Sequence, residues 1–125
     1  MVAGGKTILI VEDDRDLRRL YRTALLASGF EVKEAGDGLS ALRAIDSNPP
    51  DVVVLDLALP MLNGHVVREQ IQSHATTRHI PIVIVTGSDH PLNNLPVASV
   101  LKKPVSAERL VWTVRNCLRD VDAGS

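Results

Sequence analysis

A chain of 125 residues with 45% hydrophobic and 23% charged residues is sized and composed for one globular domain with a single good core. Fourteen Lys and Arg against fifteen Asp and Glu give a net charge of −1, without the basic excess that a nucleic-acid surface normally carries, so no direct nucleic-acid contact is expected. The single cysteine, Cys117, excludes an internal disulfide and suits a reducing compartment, and every apolar run is cut short of membrane-spanning length by a charge or a proline.

The start, Met1 to Lys6, has too little apolar length for a signal peptide, so a cytoplasmic protein with no membrane contact is expected. Thr7-Ile-Leu-Ile-Val11 is a short β-branched strand that ends in three acids, Glu12-Asp13-Asp14. Asp14 suits a helix N-cap. Leu17, Leu20, Tyr21, Ala24 and Leu25 then repeat at the spacing of an amphipathic helix closed by Gly29. The other side of that helix, Arg15, Arg18, Arg19 and Arg22, reads as a solvated face. Phe30–Ala35 alternates apolar and polar residues, as an edge strand with one wet face does. After a turn at Gly36-Asp37-Gly38, the residues Leu39, Leu42 and Ile45 space a short helix that stops before Ser47-Asn-Pro-Pro50.

Between Val52 and Leu62 the only charged side chain is Asp56. The unbroken apolar run Val52–Leu57 reads as a strand covered on both faces, where an unpaired carboxylate would cost several kcal/mol or more. Asp56 is therefore expected at the open end of the strand and opposite a positive group. Pro60 and Gly64 break the chain, and a helix from about Gly64 to Ser73 is patterned around Val67 and Ile71. Pro81–Thr86 is a second strand buried on both faces. From Gly87 to Val97, Pro91 and Pro96 leave room for at most about one helical turn, so this segment is expected to be the most mobile of the domain. Ala98–Lys102 is the last strand, ending at Lys103-Pro104. The final helix carries Leu110, Val111, Val114, Cys117, Leu118 and Val121 on one face, with Ser106 as its N-cap. The histidines, His65, His74, His79 and His90, show no metal-ligand spacing and are expected at the surface.

Five strands alternating with helices imply an α/β domain, a doubly wound parallel sheet with helices on both faces. In such a sheet the carboxyl ends of the strands share one edge, and ligands bind there. Those ends are Glu12-Asp13, Asp56, Thr86 and Lys103. Three carboxylates so close raise one another's pKa and call for a cation beyond Lys103. A hard divalent ion with oxygen ligands and water, Mg²⁺, fits that need. The ion, Lys103 and Thr86 would cradle a phosphoryl group, with Asp56 as the nucleophile that forms an acyl phosphate.

The residues Ile8-Leu-Ile-Val-Glu12-Asp13-Asp14, Asp51-Val-Val-Val-Leu-Asp56, Pro60, Gly64, Val85-Thr86 and Lys103-Pro104 closely resemble the receiver domain of two-component response regulators. The resemblance runs from about Lys6 to Asp120, and it makes residues 1–125 a single receiver domain. It implies a five-stranded sheet of flavodoxin-like order 2-1-3-4-5, here with a shortened or irregular fourth helix. It further implies that Asp56 accepts phosphate from a histidine kinase or phosphotransfer protein, and that Glu12, Asp13, Asp56 and the backbone carbonyl of Ala58 hold Mg²⁺. Thr86 would swing toward the phosphoryl group, Lys103 would pair with it, and the Lys103–Pro104 bond would be cis. No enzyme turnover is expected beyond gaining and losing that phosphate.

Two departures from the family pattern stand out. Receivers commonly carry an aromatic residue three positions before the lysine, and here that position is Val100; Thr86 and Lys103 are also closer in sequence than in most receivers. Ala58 and Ser88, which flank the phosphoryl site in the family, are small enough to admit water. With no effector following Ser125, the expectation is a domain acting alone as a relay or docking regulator, or an excised domain, monomeric or forming a weak phosphorylation-dependent dimer. The alternatives are a pseudo-receiver that only binds other proteins and a small hydrolase or flavin carrier. The second lacks both a histidine at a strand end and a phosphate-cradling glycine pattern.

Overall fold

Strands and helices alternate along the chain: β1 (Thr7–Val11), α1 (Arg15–Ala27), β2 (Glu31–Ala35), α2 (Gly38–Ser47), β3 (Val52–Leu55), α3 (Gly64–Ser73), β4 (Ile82–Thr86), β5 (Ser99–Lys102) and α4 (Ala107–Gly124). The structure is a computed structural model that describes residues 5–87 and 96–124, without the side chains of 121–124. The expectations for Gly87–Val97, including a shortened or irregular helix there, and those for Ser88, His90 and the Val121 side chain therefore lie wholly or mainly outside the described residues. All strand pairings are parallel, and the sheet order is β2-β1-β3-β4-β5. This is the doubly wound 2-1-3-4-5 arrangement, and it places β1 beside β3 at the centre.

Side chains alternate across each strand, so one run of apolar residues supplies two cores. Ile8, Ile10, Val52, Val54, Val83 and Val85 face Tyr21 and Leu25 of α1 and Leu110, Val114 and Cys117 of α4. Leu9, Val11, Val53, Leu55, Ile82 and Ile84 face Ala41 and Ile45 of α2 and Val67 and Ile71 of α3. Each such side chain contributes about 1.5–3 kcal/mol on burial, which is why β3 and β4 carry nothing polar before their ends.

Two helices differ in phase from the sequence expectation. Leu20 belongs to the proposed stripe of α1 but is 47% exposed, because the helix meets the sheet along Tyr21 and Leu25 and Leu20 lies on its flank. Leu39 of α2 is likewise exposed, since that helix buries Gly38, Ala41 and Ile45. β3 ends at Leu55 rather than Leu57. The Asp56 amide still donates to the Val11 carbonyl (3.0 Å), and the chain then leaves the ladder toward Pro60. β4 and β5 each start one residue later than expected. Asp14 caps α1 as expected, accepting from the amides of Asp16 and Leu17. Ser106 Oγ accepts from the Arg109 amide (3.1 Å), the cap expected for α4. Asp37 and Asn63 do the same for α2 and α3, two caps the sequence reading did not name.

Two glycines fix the loop that follows β3. A Cβ on Gly64 would lie 2.5 Å from both the Asp56 carbonyl oxygen and the Leu57 Cα. One on Gly38 would lie 2.6 Å from the Leu62 Cβ. The first turns of α2 and α3 therefore sit directly against the backbone that carries Asp56. Gly64→Ala and Gly38→Ala should each lower stability in urea denaturation by about 1–3 kcal/mol, the cost of forcing extra atoms into a packed contact. Unchanged midpoints in both variants would contradict this close packing.

Candidate functional site

The parallel register brings the strand ends level. Val11 pairs with Leu55 and Thr86 with Lys102, so Glu12, Asp56, Thr86 and Lys103 emerge along one edge of the sheet. The Lys103 amide donates to the Thr86 carbonyl (2.8 Å), which ties β5 to β4 at this edge. Glu12 is 2% and Asp56 5% exposed, and Thr86 is also buried. Lys103 Nζ donates to Glu12 Oε1 at 2.6 Å and to Asp56 Oδ2 at 3.2 Å. The lysine thus bridges the two buried carboxylates, the positive partner that the setting of Asp56 required. Asp56 Oδ1 accepts from the Ala58 amide (3.1 Å), and Glu12 Oε2 accepts from the Asp14 amide (3.2 Å). The Lys103–Pro104 peptide bond is cis, as expected.

Asp13 completes the cluster from the exposed side. One carboxylate oxygen from each of Glu12, Asp13 and Asp56 lies within 4.8 Å of the others. Such a donor set, all hard oxygen and open to water through Asp13, could hold a divalent cation such as Mg²⁺, and it offers none of the nitrogen or sulfur that zinc favours.

Burial pushes the Glu12 carboxyl above its ordinary pKa of 4.5; hydrogen bonds from Lys103 and the Asp14 amide oppose the rise, and the charge of Asp56 adds to it. Burial alone would lower Lys103, but the hydrogen bond to Glu12 and the charge of Asp56 outweigh it, so its pKa lies above the ordinary 10.5. Tyr21, buried beneath these groups, is raised mainly by burial.

Arg18 was expected on a solvated face and is instead part of this edge. Its Nη1 donates to the Glu12 carbonyl (2.8 Å) and its Nε pairs with Glu34 of β2 (3.2 Å), which Arg22 also meets at 3.4 Å. The sequence signal was Glu34, an acid one residue before the end of β2, at the level of the Glu12 loop. His65, His74 and His79 are exposed, as expected, and lie outside the cluster.

A family model of the response regulator receiver domain matches residues 8–115. The chain belongs to that family. This receiver is 30% identical over 120 residues to the polar-differentiation response regulator DivK of Brucella ovis, across 92% of this chain and 98% of the relative. Among solved structures, a putative response regulator from Chloroflexus aurantiacus matches with a TM-score of 0.85 and 29% identity, over 92% of this chain and 98% of that one. A CheY-like receiver domain protein from Methanospirillum hungatei gives a TM-score of 0.89 over 98% of this chain and 100% of that one. At 23% identity this second likeness is one of fold. Receivers are switches of two-component signalling that interact with histidine kinases or phosphotransfer proteins, and they are not classical enzymes. No described helix of this receiver is long and apolar enough to cross a membrane.

The raised pKa values fix the sign of a pH dependence. Each group's contribution is complete below its ordinary pKa and is lost as pH rises through the folded value, above 4.5 for Glu12 and above 10.5 for Lys103. Glu12→Gln should therefore gain stability relative to the unaltered receiver as pH climbs from 4.5 toward neutrality in metal-free buffer; a constant difference across that range would refute it. Asp13→Asn, which relieves repulsion, should raise metal-free stability by up to about 1 kcal/mol. Asp56→Asn, expected from the crowded acids to stabilise as well, should gain less, because it also weakens the Lys103 contact. Lys103→Met should lose about 1–3 kcal/mol by leaving Glu12 buried without its cation.

Proposed function

We propose that residues 1–125 form one receiver domain whose switch is a phosphate on Asp56, transferred from a sensor histidine kinase or phosphotransfer protein. The observation that carries this reading is the pairing of a buried, strand-end Asp56 with Lys103 beside two further carboxylates. A carboxylate in this setting is suited to act as a nucleophile, since the Ala58 amide and Lys103 each hold one of its oxygens in place and the lysine contact, at 3.2 Å, can pass to a phosphoryl oxygen.

Glu12, Asp13, Asp56 and the Ala58 carbonyl would hold Mg²⁺, which when bound supplies positive charge to the transferring phosphoryl oxygens. An Asp56 carboxylate oxygen attacks phosphorus, a P–O bond forms, and the bond to the donor nitrogen of the kinase histidine breaks. Lys103 then exchanges its contact with the carboxylate for one with a phosphoryl oxygen, remaining paired to Glu12 throughout. The Thr86 hydroxyl, at the end of the neighbouring strand, donates to another phosphoryl oxygen. These new contacts favour a conformation that the unmodified protein already visits, and so alter its affinity for protein partners.

A second reading is a receiver fold that binds partners without phosphorylation. Val100 favours it, because a 39% exposed valine on β5 provides no aromatic ring to report on Thr86. Incubation with acetyl phosphate and Mg²⁺ followed by intact-mass measurement separates the two. We expect a gain of one phosphoryl group, prevented when EDTA is present from the start and absent in Asp56→Asn. No gain under any condition would leave only the binding module. Mg²⁺ alone should raise the melting temperature of the unmodified receiver, and Asp13→Asn should blunt that rise.

A further inference from the structure

The largest exposed apolar side chain away from the β3 loop is Trp112, the only tryptophan of the chain, which stands 61% exposed on α4. It borders a groove of about 450 Å³ between α1 and α4, lined by Ala24, Ser28, Ala107, Val111 and Asn116. Leu20, 47% exposed, sits one helical turn before Ala24 on the same flank of α1. An indole this exposed forgoes much of the stabilisation that burying 150–250 Å² of aromatic surface would bring. The charges around it have an order. On α4 the residues Glu108, Trp112, Arg115 and Arg119 follow at intervals of four, three and four, so they form one stripe, acidic at its start and basic at its end.

That order identifies the complement. A stripe reading acid, aromatic, base matches a copy of itself laid antiparallel, since Glu108 of each copy then faces Arg119 of the other and Trp112 faces Arg115. A parallel pairing would set like charges together. Trp112 and the groove also lie side by side on one surface, as a two-fold interface requires: each copy offers the knob and the recess at once. We propose that this face is a homodimer interface, in which two receivers cross antiparallel along α4 and each Trp112 enters the groove of the other. The Arg115 guanidinium, whose Nη2 reaches the Ser28 carbonyl at the end of α1 (3.5 Å), forms one wall of that recess and can stack on the incoming indole. The proposal rests on neither the phosphorylation nor the metal proposed above. Its small apolar centre makes the dimer a weak one, with a dissociation constant in the micromolar range or above.

Sedimentation velocity and tryptophan emission, both followed over a concentration series of the unphosphorylated receiver, test this directly because the single indole is the reporter. The expected result is concentration-dependent association accompanied by a blue shift of the emission. Trp112→Ala, an exposed change whose folding is checked by circular dichroism, should remain monomeric. Glu108→Arg and Arg119→Glu should each weaken association at least about tenfold, equivalent to 1.4 kcal/mol. The double variant should recover it, because reversing both ends restores the match. A receiver that stays monomeric to millimolar concentration overturns the proposal, even if some other protein is found to cover Trp112. So does association that survives Trp112→Ala, or a double variant as weak as the single ones.

Discussion

One ammonium group holds the functional edge of this receiver together. Lys103 bridges Glu12 and Asp56, two carboxylates nearly closed off from solvent at the ends of adjacent central strands. Without it, the parallel pairing of β1 and β3 would drive two like charges into one apolar setting, where each is costly alone and both are costlier together. Neutralisation is incomplete, because Asp13 adds a third acid. The site thus carries a residual negative charge, the property that suits it to a divalent ion. The shift of Glu12 and that of Lys103 express the same balance from opposite partners.

The supports of that edge are geometric. Gly64 lets α3 begin against the Asp56 carbonyl, and Gly38 lets α2 begin against Leu62, so the loop carrying Asp56 is gripped on both sides by helix starts. Arg18 reaches from α1 to the Glu12 carbonyl and is itself held by Glu34. Helices on both faces therefore take part in positioning a site that belongs to the sheet.

Much of this was legible in the sequence, for a definable reason. Strands buried on both faces admit no polar residue in their interior, so Glu12, Asp56 and Thr86 announce the edge as the first polar residues at the ends of β1, β3 and β4. Register then brings them level, which the apolar runs foreshadow without stating. The phase of a helix is less readable, because a leucine on the flank of the buried arc looks in sequence like one within it; Leu20 and Leu39 are the cases here. Arg18 was illegible for another reason. Four arginines on one helix look alike until β2 supplies a glutamate to one side of them, and that is a contact across sixteen positions of chain. Asp37 and Asn63 were passed over beside the glycines that follow each, although a short polar side chain before a helix is the ordinary signature of a cap.

The bond from Lys103 to Glu12 spans ninety-one positions, joining the last strand to the first. A chain emerging from its amino end makes both acids long before it makes their base. Until β5 docks against β4, the central pair of strands must close around uncompensated charge, or keep those acids protonated or wet. Completion of the sheet and neutralisation of its centre are thus one event, and the order of synthesis makes the most distant contact of the site also the one that seals it.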